Sequence, residues 1–428
     1  MTNEKKDASF CKFLLLCLGG FVTAVGSGIT SFGLGVYVFE LTGLASATSL
    51  IMLLAFFPGL LLTPLAGVLA DRYDRRLLMI LGDGLSAFGL VFILIQLLNG
   101  AAELWQIGFG VTISSIFSSL TEPAFKSTIT DLLTEGEYST ASGFVQLISS
   151  AKFLISPLIA GLLLAVSDIK LLLIIDICTI VLTVITTSIV RKGLETKKTD
   201  KRKPILKEFK LGWQELKTKQ GVFVLTFTGI AISFFLAGIE SLYTPMVLGF
   251  SDSSVLGIAT TICASGMLFS SILLSFIPIK KSFSQVLSVS LFLAGVCMAG
   301  FGLRENIVMI CFFGFLFFAM LPFANTSIDY LIRTNIPNEV QGRVWGLFGL
   351  ISQFGFIIAY ATLGPLADSV FVPLLKDDQA LLANSVGKIL GTGNGRGIGL
   401  LIIISGFMLA STAIVLFRNK SVKQLEKI

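Results

Sequence analysis

At 428 residues the chain has room for two or three soluble domains, but 54% of it is hydrophobic and only 14% charged, against roughly 25% charged in soluble domains. That balance excludes a water-soluble protein and makes lipid the solvent for most of the chain. Six scattered cysteines with no Cys-x-x-Cys pair, and no histidine at all, argue against a metal site or disulfide frame and leave proton chemistry to carboxylates and lysine.

Residues 1–12 are polar and carry Lys5, Lys6 and Lys12. The apolar run that follows continues to about Phe39, too long for the 7–15-residue core of a signal peptide, so it reads as a retained first helix. Crossing about 30 Å of hydrocarbon takes roughly 20 apolar residues. Runs near 13–39, 44–69, 77–98, 104–125, 142–166 and 170–190 meet that test, as do runs near 221–248, 254–279, 284–303, 306–329, 343–366 and 397–417. The fold class expected is all-α integral membrane, with twelve spans as two six-helix bundles (1–190 and 221–428) joined by a charged segment (191–220).

Placing the N-terminus in the cytoplasm puts 26 of the 32 Lys and Arg on inner segments and 5 on outer ones, with Lys152 inside a span. Positive residues gather on the cytoplasmic side, so both termini are expected there, and the net charge of +6 asks for no nucleic acid. In the 191–220 segment, Leu206, Phe209, Trp213 and Leu216 recur at helical spacing among lysines. That pattern suits a helix lying in the membrane interface or a plain linker helix.

The halves carry a faint repeat. Glu122-Pro123 through Glu137 to Gly143 resembles Leu321-Pro322 through Glu339 to Gly346, at an offset of about 200 residues. Two such repeats are what a rocking transporter needs, because a site between halves then opens alternately to each side.

The loop after the second span reads Gly67-Val68-Leu69-Ala70-Asp71-Arg72-Tyr73-Asp74-Arg75-Arg76. It resembles the signature loop of the major facilitator superfamily, G-x-L-a-D-r-x-g-r-R. Asp74 stands where that pattern has glycine, which weakens the turn signal. The expected role is a cytoplasmic gate. Gly67 allows close helix approach. Asp71 accepts from the amino end of a helix starting near Gly342. Arg75 steadies that carboxylate, and Arg72, Arg76 and Asp83 complete the charge cluster. Residues 30–90, 120–165 and 205–225, with a weaker echo at 338–350, resemble the macrolide-efflux and enterobactin-exporter branch. That resemblance implies a bacterial plasma-membrane exporter acting as a monomer on a small amphipathic substrate, with protons as the coupling ion and no cofactor.

Ser156-Pro157-Leu158-Ile159-Ala160-Gly161 is similar to the antiporter signature G-P-x-x-G-G, with Ser156 and Ala160 in place of two glycines. The fourth span lacks the arginine of many drug antiporters; Ser114 lies near its place. Ionisable residues within spans are costly and therefore functional suspects. Lys152 lies near mid-depth and suits an anionic substrate group or a carboxylate such as Glu122; a structural ion pair is the alternative. Glu122 also suits an interfacial pair with Lys126. Asp176 and Glu240 are proton-coupling candidates, with Glu240 just before an expected helix break at Ser241–Pro245. Asp329 and Arg333 read as a pair at the inner end of the tenth span. No nucleophile elbow, Walker loop or re-entrant filter is present, which weighs against an enzyme or a channel. A lysophospholipid flippase on the same fold stays open.

Overall fold

Apolar runs of this length can satisfy their backbone in lipid only by bonding it within the segment, as helix. The computed structural model describes residues 3–134, 137–191, 213–214, 216–277, 279, 282–377, 379–382, 384–393 and 395–426, and every regular element among them is helical. Eleven helices among the described residues are long and apolar enough to span a membrane on their own. The remaining expected span, the fourth, is built in two pieces.

The first three spans are α1 (Asn3–Thr42), α2 (Ala45–Arg72) and α3 (Arg75–Leu98). α1 begins before its apolar core, since the lysine-bearing N-terminal turns extend the same helix. The fourth span is α4 (Leu104–Ser118) followed by α5 (Thr121–Leu132). The fifth is α6 (Tyr138–Leu154) and α7 (Ser156–Val166), and the sixth is α8 (Ile169–Arg191). Both interruptions precede a proline, Pro123 and Pro157. A residue without an N–H leaves the carbonyl four positions earlier unpaired.

Spans seven to ten are α9 (Gln220–Leu248), α10 (Ser253–Phe276), α11 (Phe283–Phe301) and α12 (Ile307–Asn335). The helix break expected at Ser241–Pro245 does not occur: α9 carries Pro245 in its last turn and runs on to Leu248. The eleventh span joins α13 (Asn338–Ser352) to α14 (Phe354–Leu366). It does not stop at residue 366, as hydropathy suggests, but continues through a π-helical turn, Ala367–Phe371, into α15 (Val372–Leu375). A short α16 (Gly387–Leu390) leads to the twelfth span, α17 (Arg396–Arg418), and to α18 (Lys420–Gln424). The helix expected from Pro204 lies largely outside the described residues. Trp213, which is described, meets Phe223 of α9 edge to face at 6.2 Å.

The chain forms two compact units, Met1–Thr42 with Leu50–Lys201, and Gly43–Ser49 with Arg202–Ile428. In the first, α1 packs on α6, α7 and α8, while α3 packs on α4, α5 and α8. In the second, α9 packs on α13, α14 and α17, while α11 packs on α12 and α17. The same contact pattern appears in each set of six spans, which is the pseudo-repeat that the sequence echo announces. Large apolar side chains that the units leave uncovered, such as Phe88 on α3 and Phe276 on α10, are the surface that lipid wets. Lipid tails are as apolar as leucine, so the helices are held by close packing and polar contacts more than by apolar burial.

Candidate functional site

The α2–α3 turn is tied down by charge. Asp74 caps α3, its Oδ1 accepting from the Arg76 N–H at 3.1 Å, and its Oδ2 accepts from Arg191 Nε at 2.7 Å. The glycine of the superfamily pattern is therefore not missed. No residue of the turn has a positive φ, and an aspartate cap supplies what the helix start lacks. Partial burial works against the Asp74 anion, but the hydrogen bonds from Arg191 and the Arg76 amide, with both guanidinium charges, hold its pKa below the usual carboxylate value.

Arg75 donates through Nη1 to the Ser127 carbonyl at 2.7 Å and to Asp131 Oδ1 at 2.8 Å, and through Nε to the Ala70 carbonyl at 3.3 Å. Arg76, 3% exposed, donates through Nη2 to Asp131 Oδ2 at 3.2 Å. The two arginines thus grip one carboxylate on α5, where the sequence reading had Arg75 steadying Asp71. The Asp71 side chain lies outside the described residues, and Arg72 is exposed. Asp83 is not in this cluster: buried further along α3, it accepts from Thr121 Oγ1 at 2.9 Å and so joins α3 to α5. Gly67 does not mediate a close approach here, since a Cβ on it meets nothing within 4 Å.

Of the four intramembrane candidates, the structure brings two together. Asp176 of α8 is 2% exposed, with Thr30, Thr179 and the charge of Lys152 around its carboxylate. Gly26 on α1 makes room for it, because a Cβ there falls 3.0 Å from Asp176 Oδ1. The break between α6 and α7 just after Lys152 is secured by Ser156. Its hydroxyl donates to the Val25 carbonyl at 3.0 Å and packs on Gly28. Pro157 and Gly161 of the same segment are buried. Glu122 is not a partner of Lys152: its carboxylate accepts from Lys126 Nζ at 2.6 Å on the surface, where the two side chains are 75% and 59% exposed.

In the second unit Glu240 accepts from the Tyr360 hydroxyl at 2.7 Å. A cavity of about 460 Å³ opens between α9, α12 and α13, with Ser233, Asn325, Thr326, Asp329, Trp345 and Phe348 in its wall. Asp329 does pair with Arg333, at 2.7 Å, and that guanidinium lies over the Trp345 ring. Asp329 thus lines the cavity while also making the expected pair. Sequence reasoning passed over Asp131, Tyr360 and Trp345. For Asp131 a signal existed, since it lies inside the segment that the internal repeat singles out.

The comparisons agree with this architecture. Solved structures share the fold at low identity: a bacterial homolog of the human lysosomal transporter Spinster, in an inward-facing state, at TM-score 0.73 and 15% identity, covering 98% of each chain. The nucleoside transporter NupG matches at TM-score 0.71 and 13% identity, covering 96% of this chain and 100% of that one. Among curated relatives, Macrolide efflux protein A of Streptococcus pyogenes is 26% identical over 380 residues, covering 86% of this chain and 92% of that one. The protein of the same name from Enterococcus faecalis is 27% identical over 313 residues, covering 72% and 96%. The Major Facilitator Superfamily model matches residues 16–360. With most of its length inside that match, the chain belongs to the major facilitator superfamily and is a membrane transporter, not an enzyme.

Proposed function

We propose that this transporter exports an amphipathic compound of the macrolide kind, in exchange for protons, by alternating access of two bundles (1–190 and 221–428). It acts as a monomer in a bacterial plasma membrane with both termini in the cytoplasm. The observation that carries the substrate class is the cavity of the second unit. Its wall sets the flat apolar faces of Trp345 and Phe348 beside the amide of Asn325 and the carboxylate of Asp329, the mixture of apolar area and few polar groups that amphipathic ligands need. The printed names of the two macrolide-efflux relatives, each matched over more than nine-tenths of its length, favour export.

In a chain without histidine, we assign the exchanged proton to Asp176 and Glu240, two carboxylates within spans. The α2–α3 turn is the cytoplasmic gate. Gly67 lies at the start of that segment on α2, where a Cβ meets nothing within 4 Å.

The test uses everted membrane vesicles holding the full chain, with a dye that reports the pH gradient. Adding a macrolide is expected to dissipate the gradient with the native chain. Asp176→Asn or Glu240→Gln is expected to abolish that response at equal membrane levels. Trp345→Ala is expected to raise the half-effective concentration about ten-fold, the scale of losing an aromatic anchor in a pocket. If no compound on a broad panel moves the dye, the drug–proton reading fails and lysophospholipid movement is the assay to run.

A further inference from the structure

One helix is shared by the two compact units. Gly43–Ser49, the first turn of α2 and the turn before it, belong to the second unit, whereas α2 from Leu50 onward belongs to the first. Asp368 of the second unit holds that first turn. Its Oδ1 accepts from the Ala45 N–H at 3.0 Å and its Oδ2 from the Ser46 N–H at 2.7 Å. A helix start leaves such N–H groups open and carries partial positive charge, so an anion there is strongly held.

The residue before Ala45 is Leu44, whose side chain carries no acceptor for the first N–H groups of α2, and Gly43 turns the chain into the helix at φ +67°. The cap is borrowed from more than 300 residues away. The π-helical turn Ala367–Phe371 carries the carboxylate that accepts in that cap. One turn earlier, Gly364 lets α2 lie flush: a Cβ there falls 2.5 Å from Ser49 Oγ and 2.8 Å from Ser46 Cα. Thr48 and Ser49 are fully enclosed, and Ser49 Oγ has no protein hydrogen-bond partner. A buried hydroxyl without a partner weakens a contact, which suits one that opens and closes.

We propose that Asp368 is the positioning residue of a releasable latch, which holds the first turn of α2 in one state of the transport cycle and lets it go in the other. This rests on the alternating-access part of the proposed function and on neither its substrate nor its coupling ion. With both termini cytoplasmic, the latch is at the external end of α2. The feature is distinct from the α2–α3 turn, which lies at the opposite end of the same helix.

The experiment separates a latch from a helix cap that merely stabilises. Leu44→Asp supplies α2 with a cap of its own, so it restores any stability that Asp368→Ala removes. A reporter cysteine replaces the enclosed Thr48, and labelling by a membrane-impermeant maleimide is followed in whole cells, without substrate or imposed gradient. Leu44→Asp with Asp368→Ala is expected to melt as the Leu44→Asp parent does, yet to label at least about ten-fold faster, the scale of losing a charge-assisted hydrogen bond. Asp368→Glu is expected to return labelling toward the slow rate. Asp368→Asn, which keeps one acceptor oxygen, is expected to fall between and serves if the alanine variant does not fold. Equal labelling in all of these, or a slow rate restored by Leu44→Asp alone, overturns the latch. Failure of every drug on the vesicle panel does not touch this readout, so the two readings fall separately.

Discussion

Replacing Gly295 by valine is expected to remove the folded transporter from the membrane. Gly295 of α11 and Gly406 of α17 face each other in a close backbone crossing. A Cβ on Gly295 falls 2.5 Å from Ala410 N and 2.6 Å from Gly406 O, and one on Gly406 falls 2.5 Å from Ala299 N and 2.6 Å from Gly295 O. These are main-chain atoms and cannot swing aside, so the helices must part along their length. Overpacking a core costs roughly 1–3 kcal/mol where side chains give way, and more where backbones must separate. In lipid the loss is not recovered, because close approach of small residues is itself what holds such helices together. Gly67→Val is the contrast: with nothing within 4 Å of its Cβ, it is expected to fold and melt as the native chain while transport falls. Size-exclusion profiles and melting in mild detergent read both variants. A Gly295→Val protein melting within a couple of degrees of the parent would sink the packing argument.

Asp131→Ala is expected to cost nearly as much by another route. The substitution strips the carboxylate from two guanidiniums, one of them on Arg76, whose side chain is only 4% exposed. Removing one partner of a buried ion pair costs about 3–5 kcal/mol, since a charge is left uncompensated. Asp131 itself is 28% exposed and Arg75 17%, so solvent screening brings the figure to about 2–3 kcal/mol. On the scale of soluble domains of similar size that is a melting shift of about 5–10 °C. Asp131→Glu is expected to recover part of it. An unshifted melt for Asp131→Ala would mean that Arg75 is satisfied by the Ser127 and Ala70 carbonyls and that Arg76 loses nothing with the carboxylate.

How much of this could be read beforehand varies with the kind of interaction. The spans were legible because lipid imposes a length and a hydropathy on each, and the repeat because its turn chemistry survives in Glu137 and Glu339. Proline alone did not locate the breaks. Pro58, Pro64, Pro245 and Pro322 sit inside uninterrupted helices, whereas Pro123 and Pro157 follow interruptions. Neighbouring helices and hydroxyl side chains decide which unpaired carbonyls are tolerated, and a single sequence does not display its neighbours.

The α2–α3 turn was recognisable by spacing and charge, yet the partner of its arginines was not. Asp131 looks like one more acid in a polar turn until α5 packs on α3. Asp368 was passed over for a related reason: a charge after Leu366 ends a hydropathic run, although the helix itself continues to Leu375.

The split fourth span bears on how the chain is made. α4, fifteen residues long, rises about 22 Å at 1.5 Å per residue, short of the roughly 30 Å of hydrocarbon. The remaining depth falls to α5, whose Thr121 and Asp131 are met by Asp83 and the two arginines of α3. As the nascent chain leaves the ribosome, this segment has no comfortable resting place in lipid by itself. It is expected to enter as a hairpin with α3, because the order of synthesis then supplies Asp83 before Thr121, which it meets in the folded chain.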